Sequence, residues 1–234
     1  MHKLFVMSHT ERPRRIRSFV RRQSRATQAQ RRALQTLLPK YGLDPEQGRF
    51  DFAAIFGREA RRTLEIGFGN GENLLALART HVDEDFLGVE VHRPGVGRLL
   101  LALEAEKLGN LRIVCADALE VLNRCVADAS LDAVLIFFPD PWPKKRHHKR
   151  RLLQPEFTAL LARKLKPGGR LHLATDWPDY AEHMLAVLSA SPDFTNLAGD
   201  GGYMPRPEER SLTKFESRGL KLGHPVRDLI FVRR

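Results

Sequence analysis

One nine-residue stretch constrains the fold more than any other. Thr63-Leu-Glu-Ile-Gly-Phe-Gly-Asn-Gly71 sets Gly67, Gly69 and Gly71 between a strand-like apolar run and a helix-like amphipathic run. Glycines there permit a tight turn and let a ligand approach the backbone. The spacing is one residue shorter than the dinucleotide-binding Gly-x-Gly-x-x-Gly. Onward from this turn, apolar runs alternate with amphipathic stretches, which predicts a parallel α/β sheet. Strands are expected at 64–66, 86–91, 111–115, 131–138, 170–174 and 229–232. Helices are expected at 72–80, from Pro94 to a cap at Gly109, over part of 116–125, and at 155–165 and 178–189. Residues 11–38 read as a basic arm, in part helical. Pro39, Gly42, Pro45 and Gly48 mark a linker. The expected division is an arm and linker over residues 1–50 and an α/β domain over 51–234.

Charge narrows the function. The chain has 234 residues, 39 Lys+Arg and 28 Asp+Glu, for a net charge of +11. Residues 11–32 hold nine arginines against one acid, and residues 144–151 hold six Lys/Arg and no acid. The remainder is slightly acidic. A body of that kind with two concentrated basic blocks suits a polyanion. Phe19 is the one aromatic in either block, so phosphate contact is favoured over base stacking. Two cysteines, Cys115 and Cys125, are too few for a disulfide framework. His147 and His148 have no neighbouring Cys, so no metal is expected. No apolar run is long enough for a membrane span or an export signal, which points to the cytoplasm.

Four acids follow four of the strands. Glu65 sits two residues before Gly67, Glu90 ends the second strand, and Asp117 and Asp140 follow the third and fourth. The carboxyl ends of strands are where open α/β sheets bind ligands. Glu90 suits ribose hydroxyls, Asp117 an adenine amino group, and Glu65 a cation. The set describes a positively charged nucleoside, S-adenosyl-L-methionine rather than NAD. Asp140 is bracketed by Pro139 and Pro141 and runs directly into the second basic block. Asp176, in Ala174-Thr-Asp-Trp177, follows the fifth strand. Thr213, Lys214 and Glu216 lie on a loop before the last strand, a usual place for binding residues.

These motifs carry a resemblance. Glu65-Ile-Gly-Phe-Gly-Asn-Gly71, Gly88-Val-Glu-Val-His92 with Pro94-Gly-Val-Gly97, Phe138-Pro-Asp-Pro-Trp142, Arg146-His-His-Lys-Arg-Arg151, Ala174-Thr-Asp-Trp177, Thr213-Lys-Phe-Glu216 with Arg218-Gly219, and Leu222-Gly-His224 occur in order. The match begins in the arm, at Arg14-Arg-Ile-Arg-Ser-Phe-Val-Arg-Arg22. In these segments the chain resembles the bacterial tRNA (guanine-N7-)-methyltransferases, the TrmB family. The stretch 208–212 is unlike the motifs, and nothing is carried onto it. The resemblance implies a Rossmann-like, seven-stranded class I methyltransferase fold. It implies methyl transfer from S-adenosyl-L-methionine to N7 of a tRNA guanine, usually position 46 in the variable loop. By that resemblance Glu65, Glu90, Asp117 and Asp140 are cofactor-site residues, and Asp140 is also catalytic. Lys144, Asp176, Thr213, Lys214, Phe215 and Glu216 would meet the substrate. Arg146, His147, His148, Lys149, Arg150 and Arg151 would meet RNA. Asp140, Asp176 or Glu216 would hold the N1–H and amino edge of guanine. Other readings are a methyltransferase of another RNA base and a non-catalytic RNA-binding protein, against which the four acids argue. The sequence leaves monomer and homodimer open.

Overall fold

The computed structural model describes residues 19, 25–199, 202–208, 210, 216 and 225–234. The arginines at 12, 14, 15, 17, 21 and 22, and the candidate residues Thr213, Lys214 and Phe215, lie outside the described residues. Among those described, β1 (Arg62–Ile66), β2 (Asp85–Val89), β3 (Leu111–Val114), β4 (Leu131–Phe137), β5 (Leu165–Thr175), β6 (Phe194–Asn196) and β7 (Arg227–Arg233) form one sheet. Its order is β3-β2-β1-β4-β5-β7-β6. The first five strands pair in parallel, while β7 runs antiparallel to both β5 and β6. The sheet is therefore mixed rather than parallel throughout. Strand order reverses between β1 and β4, so the ligand crevice of such a sheet opens there.

Side-chain alternation divides the core between the two faces. Leu64, Ile66, Val134, Ile136, Leu171 and Leu173 pack in one cluster with residues of α6 (Ala118–Arg124), α7 (Pro155–Lys164) and α8 (Pro178–Ser189). Phe86 packs on the other face with residues of α1 (Gln28–Thr36), α2 (Leu38–Tyr41), α4 (Glu72–Thr80) and α5 (Arg93–Glu106). The linker glycines and prolines are docked rather than loose. They lie around α2, a 3-10 turn at Pro45–Gln47 and, before α3 (Phe52–Phe56), a link in which Leu43 N–H donates to Ile113 O at 2.8 Å. A Thr27 capping box starts α1, whose Gln30 backbone crosses α5 at Gly97. A Cβ on Gly97 would meet Gln30 O at 2.8 Å.

Several boundaries differ from expectation for local reasons. α5 ends at Glu106, and Lys107 takes the left-handed cap (φ 52°) that Gly109 was expected to supply. β5 begins at Leu165 and runs through Pro167-Gly168-Gly169, with an irregular register opposite Leu131 and Ala133. The short β6 lies inside what reads as a loop. β4 is not apolar and buried on both faces, because Ala133, Leu135 and Phe137 on its second face are only partly buried.

Candidate cofactor and guanine site

The glycine turn sits between β1 and α4 with φ of 75° at Gly67, 58° at Gly69 and 77° at Gly71. Only glycine adopts these values cheaply. A Cβ at Gly67 or Gly69 would have nothing within 4 Å, so the turn has open space on its outer side. From behind, α5 presses on it: a Cβ at Gly95 would lie 2.0 Å from Gly69 O.

Glu90 follows β2 and joins the neighbouring loops. Its Oε2 accepts from Gly69 N–H at 2.9 Å, and its Oε1 accepts from Val91 N–H at 2.6 Å and His92 N–H at 2.8 Å. Three backbone donors thus fix one carboxylate, which is 8% exposed. Glu65, 3% exposed, accepts a hydrogen bond from Asn73 Nδ2 at 2.9 Å. Burial pushes its carboxyl up to about 7, the Asn73 hydrogen bond opposes that, and the charge of Glu90 adds to it. A perturbed buried carboxyl beside an open turn marks a candidate ligand site. Asp117 caps α6, accepting from Leu119 N–H at 2.9 Å.

Asp140 lies past β4 on a segment turned back on itself. Phe138 (φ 50°) and Trp142 (φ 48°) both adopt left-handed backbone without being glycine. Each costs about 1–3 kcal/mol, so the surroundings must impose it. Phe138 N–H donates to Ala174 O at 2.8 Å, tying the turn to the end of β5. Asp176, half-buried, comes two residues after Ala174, and Trp177 N–H donates to Thr175 Oγ1 at 3.2 Å. Glu65, Glu90, Asp117, Asp140 and Asp176 thus stand at or just beyond the carboxyl ends of five adjacent parallel strands.

The basic block continues from the Asp140 turn. Lys144 caps a 3-10 helix over Lys145–Arg150. Lys144, Lys145, Arg146, Lys149 and Arg150 are exposed, and His147 and His148 are half-buried. Trp142, itself 9% exposed, packs edge-on to His147 and beneath the Arg150 guanidinium, 4.9 Å from its ring centroid. Desolvation and the surrounding cations lower the His147 pKa.

Two candidates sit differently from their expected roles. Arg151 is 2% exposed. It donates to Pro141 O at 3.0 Å and to Asp179 Oδ2, and its guanidinium lies 4.9 Å from the Tyr180 ring centroid. It fastens the block to α8 from inside. Glu216 is also 2% exposed, and both its oxygens accept from Arg210. Arg210 lies in the stretch onto which no motif was carried. Asn73 and Gly95 were missed as well, although Gly95 stands in a motif that was singled out.

A family model described as "Putative methyltransferase" matches residues 59–229. The chain is 59% identical over 220 residues to a tRNA (guanine-N(7)-)-methyltransferase of Ectopseudomonas mendocina, covering 94% of this chain and 92% of that protein. It is 54% identical over 221 residues to a protein of the same description from Alcanivorax borkumensis, covering 94% and 92%. Among solved structures, a 16S rRNA methyltransferase, KamB, superposes with a TM-score of 0.56 at 15% identity, covering 79% of this chain and 94% of that one. At that identity the likeness speaks for the fold.

Proposed function

The chain belongs to the tRNA (guanine-N(7)-)-methyltransferase family, and we propose that the guanine it methylates is the one at position 46, in the variable loop of tRNA. The methyl donor is S-adenosyl-L-methionine, which when bound supplies an electrophilic methyl group on a sulfonium. The observation that carries the reading is the line of carboxylates at the strand ends beside an open glycine turn, in a chain whose relatives act on tRNA guanine. Both parts fit a cationic nucleoside. The open faces of Gly67 and Gly69 leave room for it, Glu65 receives its positive end, and Glu90 and Asp117 receive its ribose and adenine.

Guanine N7 has an exposed lone pair and no proton at neutral pH, so the chain needs no general base. Its work is to align nucleophile and methyl group. Methylation leaves positive charge on the purine, and the Asp140 carboxylate is suited to stabilise it. Lys144, Asp176, Thr213, Lys214 and Phe215 complete the substrate side in this reading. The exposed cations Lys145, Arg146, Lys149 and Arg150 meet phosphates.

The test incubates unmodified tRNA transcript with the protein and labelled S-adenosyl-L-methionine and then analyses nucleosides by mass spectrometry. A 7-methylguanosine signal that disappears when guanine 46 is replaced supports the reading. A signal that persists assigns the activity to another guanine.

The basic block yields two contrasting outcomes. Neutralising Arg146, Lys149 and Arg150 together is expected to weaken tRNA binding and flatten its salt dependence by about 1 in log–log slope per lost contact, with thermal stability unchanged. Arg151→Met is expected to cost about 2 kcal/mol of stability, because it removes a buried charged donor that bonds Pro141 O and Asp179 and packs on the Tyr180 ring. Its salt slope should stay at the wild-type value. An Arg151→Met slope as flat as that of the triple variant would put Arg151 on the phosphates after all.

A further inference from the structure

On the sheet face that carries Glu65, β5 and β7 present His172 and Asp228 beside the apolar Leu135 and Phe137 of β4. Arg210, 3% exposed, packs against them. Arg210 NH1 donates to Glu216 Oε2 at 2.6 Å and NH2 to Glu216 Oε1 at 2.7 Å, a two-pronged pairing. NH2 also donates to Asp228 Oδ2 at 3.0 Å, and Nε lies 2.7 Å from Asp228 Oδ1. That same Oδ1 is 2.7 Å from His172 Nε2. Glu216, Asp228 and His172 are 2%, 1% and 7% exposed. The guanidinium also covers the end of β4, with its carbon 5.7 Å from the Phe137 ring centroid and 5.8 Å from that of Phe138. Phe138 is the left-handed residue from which Pro139 and Asp140 follow.

We propose that Arg210 is a positioning residue for methyl transfer: it holds the buried Glu216 side chain and locks it to the β4 end that carries Asp140. The inference rests on the guanine-methylating activity above and deepens it. Residues 210 and 216 bracket positions 211–215 in the chain and are bonded to each other. One guanidinium thus joins Glu216 to the β4 end from which the Asp140 turn leaves. Guanidinium geometry suits this task, since its planar fork engages one carboxylate with two donors while a further edge engages a second. A carboxylate so enclosed does not face a nucleobase. The guanine edge therefore falls to Asp140 or Asp176, and Glu216 acts through its pairing with Arg210.

The experiment compares Glu216→Gln, Arg210→Lys and the double variant by single-turnover methylation at saturating enzyme. Each is run on tRNA with guanine and with inosine at the target position. Inosine keeps N7 but lacks the amino group that a guanine-reading carboxylate would bind. The expected result is that each single variant slows the reaction by about 10- to 100-fold, the effect of a displacement of roughly 1 Å at a reacting centre. The double variant should be no slower than the worse single one, and the factors should be equal on guanine and inosine. Cofactor affinity and the KM for tRNA should stay within about twofold, and the cofactor should still titrate one site per chain, whereas a general loss of folding would lower that stoichiometry. Multiplying effects in the double variant would overturn the inference, as would a Glu216→Gln defect that vanishes on inosine. Wild-type protein that leaves tRNA guanine unmethylated would overturn both this inference and the function on which it rests. Activity with multiplying effects would overturn the Arg210 inference alone.

Discussion

Gly95→Ala will weaken S-adenosyl-L-methionine binding by about fivefold to more than a hundredfold, although it adds one methyl group outside the open side of the turn. The new Cβ would stand 2.0 Å from Gly69 O and 2.9 Å from Gly69 C. Neither partner can retreat. Gly69 is held by its hydrogen bond to Glu90, which is held in turn by the backbone of Val91 and His92. α5 is held from behind, where Gly97 fits against the Gln30 backbone of α1. Overpacking of this kind costs about 1–3 kcal/mol, and here the cost falls on the glycine turn of the proposed cofactor site. Converted at 1.4 kcal/mol per decade, it gives the stated range. The control is Gly109→Ala, whose Cβ would meet nothing within 4 Å. It should leave binding unchanged and stability equal or slightly raised. Calorimetric titration of both variants checks the pair, and equal affinities would refute the steric link between α5 and the turn.

The same comparison explains what was legible in the sequence. β1 to β4 stand within two residues of expectation at each end because parallel strands are short apolar runs with turn residues at both ends. The helices Glu72–Thr80 and Pro178–Ser189 match residue for residue, since Gly71 and Pro178 punctuate their starts. The acids at the strand ends were legible because chain order alone sets each one at or just past the end of a strand. What failed depends on contacts between distant segments. β6 has three residues and exists through its pairing with β7, more than thirty positions away. Arg151 resembles its five cationic neighbours, and only the packing of Asp179 and Tyr180 against it marks it as internal. Glu216 reads as a loop acid until Arg210 and β7 are brought beside it. Gly95 reads as a helix glycine until Gly69 is found against it.

Cofactor affinity will also depend on pH, with a slope set by Glu65. Burial raises this carboxyl from its ordinary 4.5 to about 7, and Glu90 adds to the shift. The sign follows from linkage. In the free protein Glu65 binds a proton more tightly folded than unfolded, so stability declines as pH rises from about 4.5 to about 7, by about 3 kcal/mol at most. A cationic ligand has the opposite demand, because it needs the carboxylate ionised. Below pH 7 binding must therefore expel the proton, and affinity should fall about tenfold per pH unit. Above pH 7 the carboxylate is already ionised and affinity should level off. Calorimetry in two buffers of different ionisation enthalpy should register the release of about one proton per cofactor at pH 6 and almost none at pH 8. 5′-Methylthioadenosine keeps the nucleoside but lacks both sulfonium and ammonium, so its binding should release no proton. Glu65→Gln should abolish the proton release for S-adenosyl-L-methionine and flatten its pH profile, because the amide cannot titrate. Proton release that persists undiminished in Glu65→Gln would move the linkage to another group and remove Glu65 from the role of cation receptor.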